Sequence, residues 1–83
     1  MSTGTIVFTS RNRGMIVVRH DDGYTLVEML GDEGALVVGD KVSGDWDALG
    51  GELIYSQGRR YEAYFQGTWG SPDTPIQMAR GIS

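Results

Sequence analysis

Short apolar segments, separated by polar and glycine-containing stretches, recur along the first half of this chain. The first such segment covers residues 5–9, the second residues 15–20 and the third residues 24–30. All three are rich in β-branched or aromatic residues, which favour the pleated surface of a sheet. Because side chains of a strand point alternately to its two faces, each segment can bury one face and expose the other. The pattern predicts three strands in the first 30 residues.

Short turn sequences separate these three segments. Residues 10–14 contain Asn12 and Gly14, two residue types that tolerate the positive φ angles of a hairpin turn. Asp22 and Gly23 follow the second segment, and an Asp-Gly pair between two apolar runs is a strong hairpin signal. We therefore expect the first three strands to form a continuous antiparallel meander.

The second half of the chain predicts two or three further strands. In residues 41–47, Val42, Gly44 and Trp46 share one face of an alternating segment. A last pair of strands, residues 52–55 and 60–66, flanks a turn at residues 56–58. The residues of the final strand expected to face inward are Tyr61, Ala63 and Phe65.

Strands without a long helix predict one all-β domain over residues 1–83: a small antiparallel barrel of five or six strands. The barrel should span residues 4–66, and 13 glycines agree with many tight turns. Three long early strands before a glycine-bounded crossover favour an OB-type barrel over the alternative, an SH3-like barrel. Residues 67–83 contain both prolines and no sustained periodicity, so we expect a partly ordered or frayed C-terminal segment.

Charge and composition restrict the function classes. The net charge of −4 argues against a protein that relies on bulk attraction to phosphate. There is no cysteine, and no run of residues is apolar enough to span a membrane. We expect a cytoplasmic monomer that does not enter membranes. The cations are clustered, however, at residues 11–20 and at residues 59–60.

Three segments of the chain resemble a minimal OB-fold domain of the cold-shock-like kind. Residues 4–8, Gly-Thr-Ile-Val-Phe, are similar to the opening strand of that family. Residues 11–18 occupy the place of its first RNA-binding motif, with a basic residue, a glycine and an alternating strand. Residues 38–44 resemble the entry into its fourth strand, which S1-type domains share. The resemblance covers residues 4–66 and implies a module that binds single-stranded RNA or DNA.

The resemblance also implies a binding face on the first three strands. Phe8 and Tyr24 would stack on bases, and the arginines would contact phosphate. Met15 and Val17 stand where the family has aromatic residues, which removes stacks worth about 1–3 kcal/mol each. The residues expected to bind nucleic acid are Phe8, Arg11, Arg13, Met15, Val17, Arg19, Tyr24, Arg59 and Arg60.

Two alternatives to this interpretation stay open. The apolar face of strands 1–3 could bind a partner protein, as in a small interaction or adaptor domain. The C-terminal segment could instead fold back over this face, with Trp69 or Ile76 covering it.

Catalysis is not expected from this sequence. His20 is the only histidine, and neither a cysteine nor a phosphate-binding glycine loop with its lysine is present. The acidic segment at residues 45–52 does not begin an EF-hand calcium loop, because Leu49 stands where an oxygen ligand is needed and Ser56 stands where a bidentate carboxylate is needed. We expect no metal site and no cofactor.

Overall fold

The computed structural model describes residues 1–81 and contains six strands and one α-helix. A 3-10 turn, Arg11–Arg13, joins the first two strands. The elements are β1 Ser2–Ser10, β2 Met15–His20, β3 Gly23–Met29, β4 Lys41–Gly44, β5 Gly50–Ser56, β6 Arg59–Trp69 and α1 Asp73–Arg80.

The six strands form a closed barrel in the order β1-β2-β3-β6-β5-β4, and every neighbouring pair is antiparallel. Two three-strand meanders, β1–β3 and β4–β6, are joined by the β3–β6 and β1–β4 pairs. The β4–β5 junction has a single paired position, Ser43 opposite Tyr55. There the Ser56 hydroxyl donates a hydrogen bond to the Lys41 carbonyl at 2.8 Å. The small all-β barrel predicted from the sequence is confirmed.

The turns largely follow the predicted chemistry. Gln57 and Gly58 have φ angles of 53° and 79° and form a two-residue turn within the predicted residues 56–58, because Ser56 is the last residue of β5. Gly14 has a φ of 66° and ends the 3-10 turn. Asn12 lies within that turn and does not adopt a positive φ.

The barrel interior is filled from all six strands, and the residues predicted to alternate inward do so. Tyr61, Ala63 and Phe65 of β6 are buried. Trp46, just after β4, stacks on Phe65 with a centroid distance of 5.4 Å and fills one end of the barrel. A Cβ atom at Gly44 would lie 3.1 Å from the Trp46 ring, so glycine at this strand position makes room for the indole.

The C-terminal segment is more regular than the sequence predicts. β6 continues to Trp69, three residues beyond the expected end of the barrel at residue 66, and α1 follows. Pro75 lies in the first turn of α1, where a proline is tolerated, and Gly81 ends the helix with a φ of 80°. Residues 82 and 83 of the predicted frayed segment lie outside the described residues.

Helix α1 packs on the outer face of the first meander. Ala79 is completely buried there against Val17 and Leu26. An isolated eight-residue helix is marginal in water, so α1 owes its stability to this contact. The sequence did not predict the helix because two prolines and its short length hide the apolar spacing of Ile76 and Ala79.

The packing of α1 generates a first prediction. Ala79→Asp would bury an uncompensated carboxylate, and we expect it to lower the free energy of unfolding by about 2–4 kcal/mol, or to detach the helix. Urea denaturation measures the first effect, and increased binding of a hydrophobic dye measures the second. Met78→Asp is the matched control, because the neighbouring Met78 is 42% exposed. Equal effects of the two substitutions would contradict the observed docking.

Candidate functional site

The face predicted to bind nucleic acid is covered by α1. We call it the covered face: Phe8, Met15, Val17, Tyr24 and Leu26. Trp69 and Ile76 join the same apolar cluster, as in the alternative in which the C-terminal segment folds back. The covered face is thus a second small core, outside the barrel.

Val17 corrects the predicted set of exposed residues. It was expected on an open outer face, but its exposed fraction is 0% because Ala79 and Leu26 pack against it. An irregularity in β1 between Ile6 and Phe8 places Phe8 opposite Val17 and so on the same outer face. Phe8, Met15 and Tyr24 keep only part of their surface in contact with solvent.

Four of the predicted arginines lie at one end of the barrel, which we call the basic end: Arg11, Arg13, Arg59 and Arg60. Arg11 and Arg13 belong to the 3-10 turn before β2. Met15, the first residue of β2, pairs with Glu28 near the end of β3. β3 ends at Met29, which pairs with Ala63 of β6. The first four residues of β6, residues 59–62, therefore extend beyond that same end of β3. All four arginines are exposed.

Arg19 lies at the opposite end of the barrel. It pairs with Tyr24 and precedes the hairpin that contains Asp21 and Asp22. Asp45 and Asp47 follow β4 at this same end, and we call it the aspartate end. The expected cluster of Arg11, Arg13 and Arg19 is therefore divided by the length of β2.

Three arginines of the basic end place their guanidinium groups against other residues of the protein. The Arg13 guanidinium lies against Gly81 at the C-terminus of α1, where the helix dipole favours a positive charge. Arg59 lies over the Tyr61 ring at 5.4 Å from the centroid, and Arg11 lies against Gly34. Among residues 1–81, no side-chain hydrogen bond engages an arginine. Their donors therefore remain available to a ligand.

A pocket of about 350 Å³ opens at the basic end. The core residues Ile16, Met29 and Leu36 line its inner wall, and Arg11 lies among its outer residues. Trp46 fills the aspartate end of the barrel, whereas the basic end leaves this space open.

A second exposed surface, which the sequence did not predict, lies on β5, β6 and the residue that follows β3. We call it the tyrosine face: Leu30, Leu53, Tyr55 and Tyr64, all exposed. Tyr55 pairs directly with Arg60, and Leu53 pairs with Glu62. The alternation of β6 already placed Tyr64 outward with Arg60. The pairing of β3 and β5 on either side of β6, which gathers the four residues, has no signal in the sequence.

His20 belongs to a hydrogen-bonded network at the aspartate end. Its Nδ1 accepts a bond from the Asp22 backbone N–H at 3.3 Å, so Nε2 carries the proton and donates to the Thr25 hydroxyl at 2.7 Å. Thr25 also bonds Thr68, which donates to the Trp46 carbonyl at 3.0 Å. The Thr25 hydroxyl is completely buried, so this histidine–threonine pair presents no nucleophile to a substrate.

Burial lowers the pKa of His20 from its ordinary value of 6.5, against the opposing attraction of Asp22, Asp47 and Asp21. The neutral ring is also the form that the network requires, because a proton on Nδ1 would remove the acceptor for the Asp22 N–H. Burial and the hydrogen-bonded network thus both favour the neutral form of His20.

The His20 network predicts a pH dependence of stability. Because the pKa is lowered in the folded state, the unfolded chain binds the proton more tightly. Stability should be full above about pH 6.5 and decrease as the pH falls below it. Urea denaturation between pH 7.5 and pH 5.5 measures this change. His20→Gln keeps a donor for Thr25 and should remove the slope; a variant with the wild-type slope would show that another group titrates.

None of three comparisons, with protein-family models, with curated proteins and with solved structures, finds a match to this chain. No helix within residues 1–81 has the length and apolar character to cross a bilayer. The same residues contain no cluster of three or more histidine or carboxylate side chains that could hold a metal ion. A function has to be argued from the surfaces themselves.

Proposed function

We propose that this protein is a binding module for single-stranded nucleic acid, with phosphates at the basic end and bases on the tyrosine face. The observation that carries the proposal is the position of Arg60 beside Tyr55. Arg60 lies directly opposite Tyr55 on the neighbouring strand, and both side chains are exposed. Stacking aromatic residues next to a basic strip are the elements that single-strand binders combine.

The distribution of charge over the protein supports this placement of a bound nucleic-acid strand. The chain is acidic overall, with a net charge of −4, and Asp32 and Glu62 lie beside Arg60 at the basic end. The four arginines of that end nevertheless lie apart from the four aspartates of the other end. Such a separation attracts an anion to one end and repels it from the other. Phosphates would therefore meet Arg59 and Arg60, and the strand would avoid the aspartate end.

The tyrosine face takes the role that the sequence gave to Phe8 and Tyr24. Tyr64 is 44% exposed and Tyr55 is 36% exposed, so each offers part of its ring to a base. Glu62 lies between Arg60 and Tyr64 along β6, and its carboxylate can accept a hydrogen bond from a base amino group. The bound nucleic acid would thus run along the β5–β6 pair instead of along β1, β2 and β3.

The OB-type, cold-shock-like assignment is part of this proposal. A small closed antiparallel barrel is compatible with it. This protein differs from the cold-shock-like pattern in its binding face, because α1 covers the strands on which that resemblance places nucleic-acid binding. We propose that the same chemistry operates on the other meander of the barrel.

A protein partner is the second candidate function, and the tyrosine face also favours it. Leu30 and Leu53 are exposed beside Tyr64, and aromatic and apolar residues beside an arginine are common at protein interfaces. This candidate no longer uses the apolar face of strands 1–3, which α1 covers. Salt dependence separates the two functions, because an apolar interface is much less sensitive to ionic strength than a phosphate contact.

The arginines give the first test of nucleic-acid binding. The double variant Arg59→Ala, Arg60→Ala should weaken binding to a short oligonucleotide and reduce the slope of log affinity against log salt by about 1.4, at about 0.7 per phosphate contact. Fluorescence anisotropy from 25 mM to 200 mM salt, with both DNA and RNA, measures this. Arg19→Ala removes an arginine from the aspartate end and is the control, with wild-type binding expected. No binding of the wild type at the lowest salt would refute the proposal.

The tyrosine face gives the second test. Tyr64→Ala should weaken oligonucleotide binding by about 5- to 150-fold, the equivalent of a base stack of about 1–3 kcal/mol. Tyr64→Phe retains the ring and should bind like the wild type. Nitrogen-labelled NMR titration with the same oligonucleotide should give shifts at residues 53–64. If shifts appear instead at residues 15–26, bases are bound at the covered face and the choice of surface is wrong.

A further inference from the structure

The geometry points to a second site: the pocket at the basic end binds a small organic carboxylate with an apolar chain. This inference does not depend on the proposed nucleic-acid function, because the pocket lies between β1, β2 and the β3–β4 loop and not on the tyrosine face. The residues that carry the argument are Ser10, Arg11, Ile16, Met29, Leu36 and Val37.

The inner part of the pocket is apolar and reaches the barrel core. Ile16, Met29 and Leu36 line it, and the same three residues belong to the main core cluster. The mouths of β-barrels are common ligand sites, and such pockets usually measure about 300–1,000 Å³. At about 350 Å³ the space suits a short chain better than a large ring system.

The outer part of the pocket carries the polar groups. Arg11 is the single charged residue among those that line it, with the hydroxyls of Thr9 and Ser10 beside it. None of these side chains is engaged in a side-chain hydrogen bond within residues 1–81. Glu33 lies over Gly14 next to the pocket but is not part of its lining. A guanidinium with two hydroxyls beside an apolar cavity matches the carboxylate head and hydrocarbon body of one ligand.

The loop between β3 and β4 places apolar side chains at the pocket. Val37, which lines the pocket, is 52% exposed and Val38 is 59% exposed. The end of the loop is fixed, because the Gly39 N–H donates to the Ile6 carbonyl at 2.8 Å and the Val37 N–H donates to the Asp40 carboxylate at 3.0 Å. Val37 is thus held at the edge of the cavity, where a bound chain would remove it from water.

The chemistry of the pocket separates this ligand from simpler ones. Acetate has the charged head without a chain, and it can use Arg11 but cannot fill the apolar interior. Octanol has the chain without the charge, and it can fill the interior but leaves Arg11 unpaired. Octanoate has both, so it should bind more tightly than either because a hydrogen bond to a charged group is stronger than one between neutral groups.

A nitrogen-labelled NMR titration with sodium octanoate, 1-octanol and sodium acetate tests the inference. Octanoate should give saturable shifts at residues 9–16 and 34–37, and octanol should shift the same residues at least tenfold more weakly. Acetate should shift none of them in the same concentration range. Shifts that do not saturate, that map to the tyrosine face, or that are equally strong with octanol would overturn the inference.

Two exposed positions provide the variants. Arg11→Gln should weaken octanoate binding by about tenfold or more while octanol binding stays unchanged, because only the charge is lost. Arg59→Gln removes an arginine of the same end that does not line the pocket, and octanoate binding should remain at the wild-type level. Wild-type octanoate binding by Arg11→Gln, or equal losses in both variants, would show that general positive charge and not this pocket attracts the ligand.

Discussion

The docking of α1 against Val17 and Leu26 determines which surfaces of this barrel remain for a partner. A chain of 83 residues encloses a thin core, and its first three strands carry apolar residues on the outer face as well as the inner face. The outer residues would form an apolar patch in water if they were left open. A helix of only eight residues removes that patch, since the side chain of Ala79 is small enough to let α1 lie close to the sheet. The tyrosine face, on the second meander, has no such cover.

The two ends of the barrel differ because the large side chain of Trp46 closes only one of them. Trp46 lies between His20 and Phe65, with centroid distances of 5.7 and 5.4 Å, and its Nε1 donates to the Ser2 carbonyl at 2.9 Å. The indole is thus packed between two rings at this end, and the side chains of His20, Thr25 and Thr68 beside it are joined by hydrogen bonds. At the basic end the core finishes with aliphatic side chains, which leave the pocket beside Arg11. The barrel is filled at the aspartate end and leaves a pocket at the basic end because Trp46 lies at the aspartate end.

Much of the barrel could be predicted from residue types, turn signals and alternation. The bounds of β2 agree with the predicted residues 15–20, and the inward residues of β6 are those expected from a period of two. Local signals were sufficient for the β1–β2, β2–β3 and β5–β6 pairs, because short turns join these strands. The helix was not predicted, because its stability comes from a contact with strands more than 45 residues earlier in the chain and not from its own propensity.

The candidate site was predicted less well, for a related reason. The arginines are visible in the sequence, but the prediction grouped them by their positions along the chain. A strand of six residues spans about 20 Å, so Arg13 before β2 and Arg19 within it are held at different ends. Conversely, Leu30 and Leu53 are 23 positions apart and become neighbours only because β6 pairs with both β3 and β5. Distances along a strand can be inferred from the sequence, whereas pairing between distant strands requires the fold.

The separation of charge reconciles an acidic protein with anionic ligands. A net charge of −4 acts on a ligand at long range, but the Debye length at physiological salt is about 8 Å, so near the surface the local groups dominate. At the basic end those groups include four guanidinium ions that are not engaged in side-chain hydrogen bonds within residues 1–81. The carboxylates of Asp32 and Glu62 lie on the Arg60 side of this end, and neither lines the pocket beside Arg11. A phosphate on Arg60 and a carboxylate on Arg11 would then use different sides of one end. Because both are anions, each would reduce the positive potential that attracts the other, and the two ligands would compete through charge without sharing a contact.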